Sequence, residues 1–123
     1  MTADKKQTGN KGENIACVFL KSKGYIIVEK NFRAAKCEID IIAQKEEYII
    51  FIEVKTRKSQ KFGNASQSVG IEKQKNIIKT AEIFIAKNEI YTDAQPRFDV
   101  IEVYIDVKTG KNYISHIEFA FIT

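Results

Sequence analysis

Two hydrophobic periods alternate along this chain, and the changes between them mark out its elements. Ile15, Val18, Phe19 and Leu20 form an apolar stripe at helical spacing, closed by Gly24. A helix is therefore expected from about residue 10, where Asn10 and Glu13 have the spacing of a capping box. Strand-like runs follow over residues 25–31, 38–44 and 48–56. The spacing predicts a second helix over about 70–88, with Ile71, Ile77, Ile78, Ala81, Phe84 and Ile85 on its buried side. Residues 93–96 break the chain. A fourth strand is expected over 97–105, a Thr-Gly turn within 106–111 and a fifth strand over 112–121. Residues 1–9 are polar and read as a disordered tail, leaving 10–123 as one domain.

The order is helix, three strands, helix, two strands. Three strands in a meander followed by a helical crossover should leave the fourth strand parallel to the third. The second and third strands are apolar at nearly every position, which fits a sheet covered on both sides. The expected class is α/β, a central mixed sheet flanked by helices.

Charged residues interrupt that apolar pattern at particular places. Asp40 lies within Cys37-Glu38-Ile39-Asp40-Ile41-Ile42-Ala43, and Glu53 and Lys55 end the run that begins at Tyr48. Charges inside a sheet are costly unless they are paired or hold a metal. A hairpin turning at Glu46-Glu47 would oppose residues whose numbers sum to 93: Asp40 with Glu53, Glu38 with Lys55, Ile42 with Phe51. All would share one face, and a slip of one residue would scatter them. A four-residue loop at 45–48 keeps the same parity. Directly opposed side chains have Cβ atoms about 4.5–5.5 Å apart. Two carboxylates at that spacing repel unless a cation lies between them, as a divalent metal site requires. The same residues also fit a salt-bridged polar edge. Asp106-Val107-Lys108 has the same acid-x-lysine shape, but it runs into the Thr-Gly turn, where its lysine should be solvated.

Composition narrows the chemistry. The chain carries 20 basic and 16 acidic residues, a net charge of +4, which alone points only weakly to a polyanion. The distribution says more: Arg57, Lys58, Lys61, Lys73, Lys75 and Lys79 follow the acidic cluster with only Glu72 against them. That stretch fits either a solvated face or a surface that tracks phosphates. A single histidine, His116, argues against zinc or Ser-His-Asp chemistry. Cys17 and Cys37 fit no metal-ligand spacing and read as reduced thiols of a cytoplasmic protein. No apolar run approaches membrane-spanning length, so no membrane association is expected.

The arrangement resembles the PD-(D/E)XK, or restriction-endonuclease-like, superfamily with its αβββαβ core. More closely, residues 9 to 104 resemble the YraN-like family of small bacterial proteins, assigned there as endonucleases. The matching stretches are Gly12-Glu13 with Ala16, Asn31-Phe32-Arg33, Glu38 through Ala43, Phe51 through Arg57, Phe62-Gly63, Val69 with Lys73, and Arg97 through Val100. The run ending Glu53-Val54-Lys55-Thr56-Arg57 is the most specific.

The resemblance implies roles. Asp40 and Glu53 would hold Mg²⁺ or Mn²⁺, with the Val54 backbone carbonyl as a further ligand. Lys55 would orient the attacking water and offset charge on the phosphate. Glu13 resembles the additional acid of Holliday-junction resolvases, although the capping box with Asn10 is the preferred reading of its main role. Glu38 would support the metal or simply pair with Lys55. Arg57, Lys58, Lys61 and Lys73 would contact nucleic acid. Cys37 stands where the family usually has glycine, which puts the local turn in question.

The expected function is metal-dependent phosphodiester hydrolysis in nucleic acid, DNA before RNA, with branched or damaged structures as candidate substrates. A homodimer would let so small a nuclease cut both strands. The alternatives are a non-catalytic nucleic-acid-binding or adaptor module, and a protein-interaction domain whose buried charges are structural.

Overall fold

The computed structural model describes residues 2–58 and 69–121. Helix α1 spans Thr2–Ser22. Strands β1 (Ile26–Ala34), β2 (Cys37–Lys45) and β3 (Tyr48–Lys58) follow, then helix α2 (Ile71–Lys87), a 3-10 turn at Glu89–Tyr91, and strands β4 (Gln95–Ile105) and β5 (Asn112–Phe121). The sheet order is β1-β2-β3-β4-β5. Only the β3–β4 pair is parallel, and α2 makes the crossover. This is the α/β architecture expected from the αβββαβ pattern, with one more strand at the edge.

Each helix covers one face. On the α1 side, Ala16, Cys17 and Leu20 pack on Ile41, Ala43, Ile50, Ile52, Ile101 and Val103. On the α2 side, Ile77, Ala81 and Phe84 pack on Ile42, Ile49, Phe51, Phe98 and Val100. Strands buried on both faces explain the continuous apolar runs. Two expected helix positions are corrected. Val18 is 69% exposed and Ile71 is 70% exposed, while Ala16 and Thr80 take the buried places. Each of the two exposed residues lies on its helix's outward side. Because α1 runs back to Thr2, Asn10 lies inside the helix and is not its cap.

The two meander turns are both two residues long. Ala34 pairs with Cys37 around Ala35 and Lys36, at φ 51° and 62°. Lys45 pairs with Tyr48 around Glu46, at φ 56°, and Glu47. Tight hairpin turns require such left-handed residues. Cys37 itself is not in that region, because Ala35 and Lys36 carry the turn. Pro96, expected to interrupt the chain, sits at the start of β4 before the pairing with β5 begins at Phe98. A proline is tolerated there.

One irregularity shapes the site. Lys30 pairs with Ile41, and Phe32 pairs with Ile39. Lys30 reaches the α1 side, where Nζ donates to Asn14 Oδ1, whereas Phe32 stacks edge-on against Phe84 of α2. Likewise Ile41 lies in the α1 core and Ile39 in the α2 core. Residues two apart on a strand should share a face. Both strands therefore invert their alternation at Asn31 and Asp40, and Asn31 has φ 55°.

Candidate functional site

The β2–β3 register follows the sum of 93 expected from the hairpin, from Lys45↔Tyr48 to Ile41↔Ile52. It stops there. Beyond it the backbone N–H of Val54 donates to Asp40 Oδ2 at 2.8 Å. The inversion at Asp40 thus turns a ladder position into a side-chain carboxylate that caps the neighbouring strand. N–H and C=O of one strand residue face the same neighbour, so the Val54 carbonyl also faces β2.

Glu53 lies two residues after Phe51 and so shares the α2 side of the sheet. With Asp40 it lines a cleft of about 510 Å³, together with Lys36, Cys37, Glu38, Glu72, Lys73 and Asn76. α2 meets the sheet over this cleft at Thr80, whose hydroxyl lies within hydrogen-bond distance of both the Ala34 carbonyl, at 3.0 Å, and the Asn76 carbonyl of its own helix, at 2.9 Å. Asn76 and Lys73 lie on the turns of α2 preceding Thr80. Lys73 Nζ forms an ion pair with Glu53 Oε2.

The electrostatics follow from this crowding. Burial pushes the Asp40 carboxyl up to about 8, and the Glu53 charge adds to the shift; the Val54 N–H opposes it, and the Glu13 charge raises it further. The Lys73 ammonium is stabilised above its ordinary range, chiefly by the hydrogen bond to Glu53, with the Asp40 charge contributing.

The remaining expected residues are placed as follows. Glu13 Oε1 accepts from Asn31 Nδ2 at 3.1 Å, at the strand inversion beside Asp40. Its place on α1 depends on Gly12, where a Cβ would stand 1.8 Å from Thr56 Oγ1. The strand register does not set Glu38 opposite Lys55. The β2–β3 pairing ends before it, and Arg33 on β1, its register partner, takes it at 3.6 Å. Lys55 shares the face of Glu53 and stands in register with Glu102 of β4. Arg57 Nη2 is 3.9 Å from Glu102 Oε2. Lys58 ends β3 and is exposed. Lys61 lies outside the described residues. Among the described residues, no group of three or more His, Cys, Asp or Glu stands together as a ready metal cluster.

The sequence reading missed two buried charge groups. Glu102 is fully buried on the cleft side of β4. On the opposite face, Arg97 Nε and Nη2 donate to Asp99 at 2.9 and 2.7 Å, Arg97 Nη2 donates to the Tyr25 hydroxyl, and His116 Nε2 lies 2.8 Å from Asp99 Oδ2. Arg97, Phe98 and Asp99 are all buried; the short polar-apolar alternation fits a strand but does not mark either charge as buried, and their partners are distant in sequence. No described helix is long and apolar enough to cross a membrane.

Comparison with known proteins bears on which chain carries this cleft. A UPF0102 protein of Caldicellulosiruptor bescii is 49% identical over 116 residues, covering 94% of this chain and 98% of its own. One from Caldanaerobacter subterraneus subsp. tengcongensis is 45% identical over 119 residues, covering 96% and 97%. One from Clostridium botulinum strain Kyoto is 45% identical over 116 residues, covering 94% of each. The family model described as "Uncharacterised protein family UPF0102" matches residues 12–103, the stretch that holds Glu13, Asp40, Glu53, Lys73 and Glu102. By the extent of both matches, the chain belongs to the UPF0102 family.

Proposed function

We propose that this protein is a divalent-metal-dependent endonuclease that hydrolyses phosphodiester bonds in nucleic acid, DNA before RNA. It is built on the PD-(D/E)XK plan of the YraN-like proteins it resembles. The observation that carries the reading is the convergence of Asp40 and Glu53 in one cleft, where burial and the Glu53 charge hold the Asp40 carboxyl protonated up to about pH 8. Two carboxyls so placed fit a hard cation, whose charge removes the repulsion. Asp40, Glu53 and the Val54 carbonyl would hold Mg²⁺ or Mn²⁺. Bound there, the cation supplies Lewis-acid stabilisation of the phosphoryl oxygens.

The chain's own residues do the rest. Lys55, on the Glu53 face, orients the attacking water and offsets charge on the phosphate. Glu13 adds acidic charge at the Asn31–Asp40 inversion. Glu38, held by Arg33, lines the cleft wall. Arg57, Lys58, Lys61 and Lys73 meet the nucleic-acid backbone. Branched or damaged DNA is the proposed substrate class, the working unit is a homodimer, and the setting is the cytoplasm, in keeping with the free thiols of Cys17 and Cys37.

A second reading, a non-catalytic nucleic-acid-binding or adaptor module, draws on a different observation: Lys73 already answers the charge of Glu53. Calorimetric titration of Mg²⁺ and Mn²⁺ into wild type and an Asp40→Ala/Glu53→Ala variant separates the two. It should be followed by incubation with duplex, single-stranded, flap and four-way-junction DNA. The nuclease reading expects metal binding that the variant loses, and cleavage abolished by Asp40→Ala or Lys55→Ala. Salt-sensitive binding that survives those substitutions without turnover would sink it in favour of the module.

A further inference from the structure

Left-handed backbone is concentrated at the β1–β2 corner of the sheet. Among the described residues five that are not glycine have positive φ, and three of them, Asn31, Ala35 and Lys36, fall within six positions of one another here. Ala35 and Lys36 make up the whole of the two-residue turn between Ala34 and Cys37. Such turns ordinarily use glycine or asparagine, which enter this region at little cost. Neither Ala35 nor Lys36 has that freedom. The turn at the other end of β2 has one such residue, Glu46. Strained backbone persists only where the surrounding structure enforces it, and it clusters at ligand clamps.

The turn holds a cation beside the acidic cleft. Lys36 is exposed, and it lines the cleft together with Asp40 and Glu53. Two lysines belong to this lining, Lys36 and Lys73. Glu53 already engages Lys73, and Arg33 engages Glu38. The Lys36 side chain has no ion pair or hydrogen bond among the described residues. A polyanion approaching Asp40 and Glu53 also approaches Glu38 and Glu72 on the same lining, which repel it. A cation not already answering a carboxylate offsets that repulsion. Stability alone would favour glycine or asparagine at both turn positions.

We infer that Lys36 is a phosphate-contacting residue of the nucleic-acid surface, carried beside the cleft by a strained two-residue turn. This rests on the nucleic-acid reading of the cleft. It adds the β1–β2 hairpin to a surface otherwise drawn from β3, the segment after it and α2.

The test is binding of a labelled DNA duplex by the full chain, followed by anisotropy in Ca²⁺ buffer over about 50 to 200 mM salt, with melting temperatures measured alongside. Ala35→Gly relaxes the turn and keeps the cation. Lys36→Gly relaxes the turn and removes the cation. Lys36→Gln removes the cation alone, and Lys36→Arg keeps it. Ala35→Gly and Lys36→Arg should bind as wild type. Lys36→Gly should melt at or above the wild-type temperature and yet bind more weakly. Its log–log salt slope should flatten by about 0.9, one phosphate contact, so its fold-loss at the lowest salt is about three times that at the highest. Lys36→Gln should show the same loss and flattening. An unchanged slope in both neutral variants, or an equal loss in Lys36→Arg, would overturn the inference while leaving the nucleic-acid reading standing. So would a Lys36→Gly variant that melts well below wild type, because the lysine would then serve the fold. A wild type that binds no DNA overturns both.

Discussion

Lys73, near the start of α2, places its ammonium against Glu53 Oε2 in the cleft that Asp40 also lines. A lysine there does part of the work of a cation. It answers Glu53 but leaves the Asp40 carboxyl in an environment that favours its proton. A metal ion that takes Glu53 Oε2 as a ligand displaces Lys73. Lys73→Met should therefore raise Mn²⁺ affinity in the absence of nucleic acid. The Lys73 side chain is 53% exposed, so the displaced pair is worth no more than a partly screened surface bridge. The expected gain is about twofold to fivefold, read by calorimetry. Unchanged or weaker metal binding would show that the lysine and the metal do not compete.

The Asp40 carboxyl makes stability depend on pH in an unusual direction. Its folded pKa, about 8, lies above the ordinary 3.8, through burial and the Glu53 charge. Between those values the folded chain holds a proton that the unfolded chain releases, so metal-free stability falls as pH rises from about 4 to 8. Asp40→Asn keeps an oxygen to accept from Val54 N–H and removes the titration. Melts in EDTA should show the variant matching wild type near pH 4 and exceeding it by several degrees at pH 8. Parallel curves across that range would refute this account of Asp40.

Asp99 behaves in the opposite sense. Burial pushes its carboxyl up, but hydrogen bonds from His116 and Arg97, with the Arg97 charge, hold it below the usual range. The Arg97 guanidinium is also enclosed by the rings of Tyr25, Tyr48 and Phe119. The stabilisation from Asp99 is present above about pH 4 and is lost as pH falls through its depressed pKa. Asp99→Asn leaves a buried guanidinium uncompensated and should cost about 3–5 kcal/mol in urea unfolding at pH 7. A loss below 1 kcal/mol would mean that the network relaxes around an amide.

These residues mark how far the sequence could be read. The hydrophobic periods located the strands, their mixed pairing and the β2–β3 register, because each depends on local alternation and on a short turn. Asp106 also behaved as its pattern implied: it accepts from Lys108 N–H in the turn, and Lys108 is exposed. The inversion at Asn31 and Asp40 was hidden, because a period-2 reading assumes unbroken alternation; an asparagine, tolerant of positive φ, was the one available sign. The Arg97–Asp99–His116–Tyr25 network was hidden for a different reason. Its hydrogen-bonded partners Tyr25 and Arg97 are 72 residues apart, and the short Arg-Phe-Asp stretch carries little information by itself. Lys73 reaches Glu53 because the crossover helix packs on the sheet through Ile77, Ala81 and Phe84, with Thr80 at the Ala34 carbonyl, tertiary contacts that spacing does not encode.

Gly12 ties the first helix to the site by close approach. A Cβ there would stand 1.8 Å from Thr56 Oγ1 and 2.9 Å from Thr56 Cβ, so α1 must lift from β3 or Thr56 must move. Gly12→Ala should cost about 1–3 kcal/mol, the usual penalty of overpacking, even though alanine is the better helix former. The next residue is Glu13, whose carboxylate accepts from Asn31 at the inversion beside Asp40. Displacing α1 should therefore disturb the acidic cleft as well as the core. Thr56→Ala removes the Oγ1 clash but not the Cβ contact, so the double variant should recover part of the stability and no more. Urea unfolding of the single and double variants measures the coupling. Additive losses would show that the two residues do not share this contact.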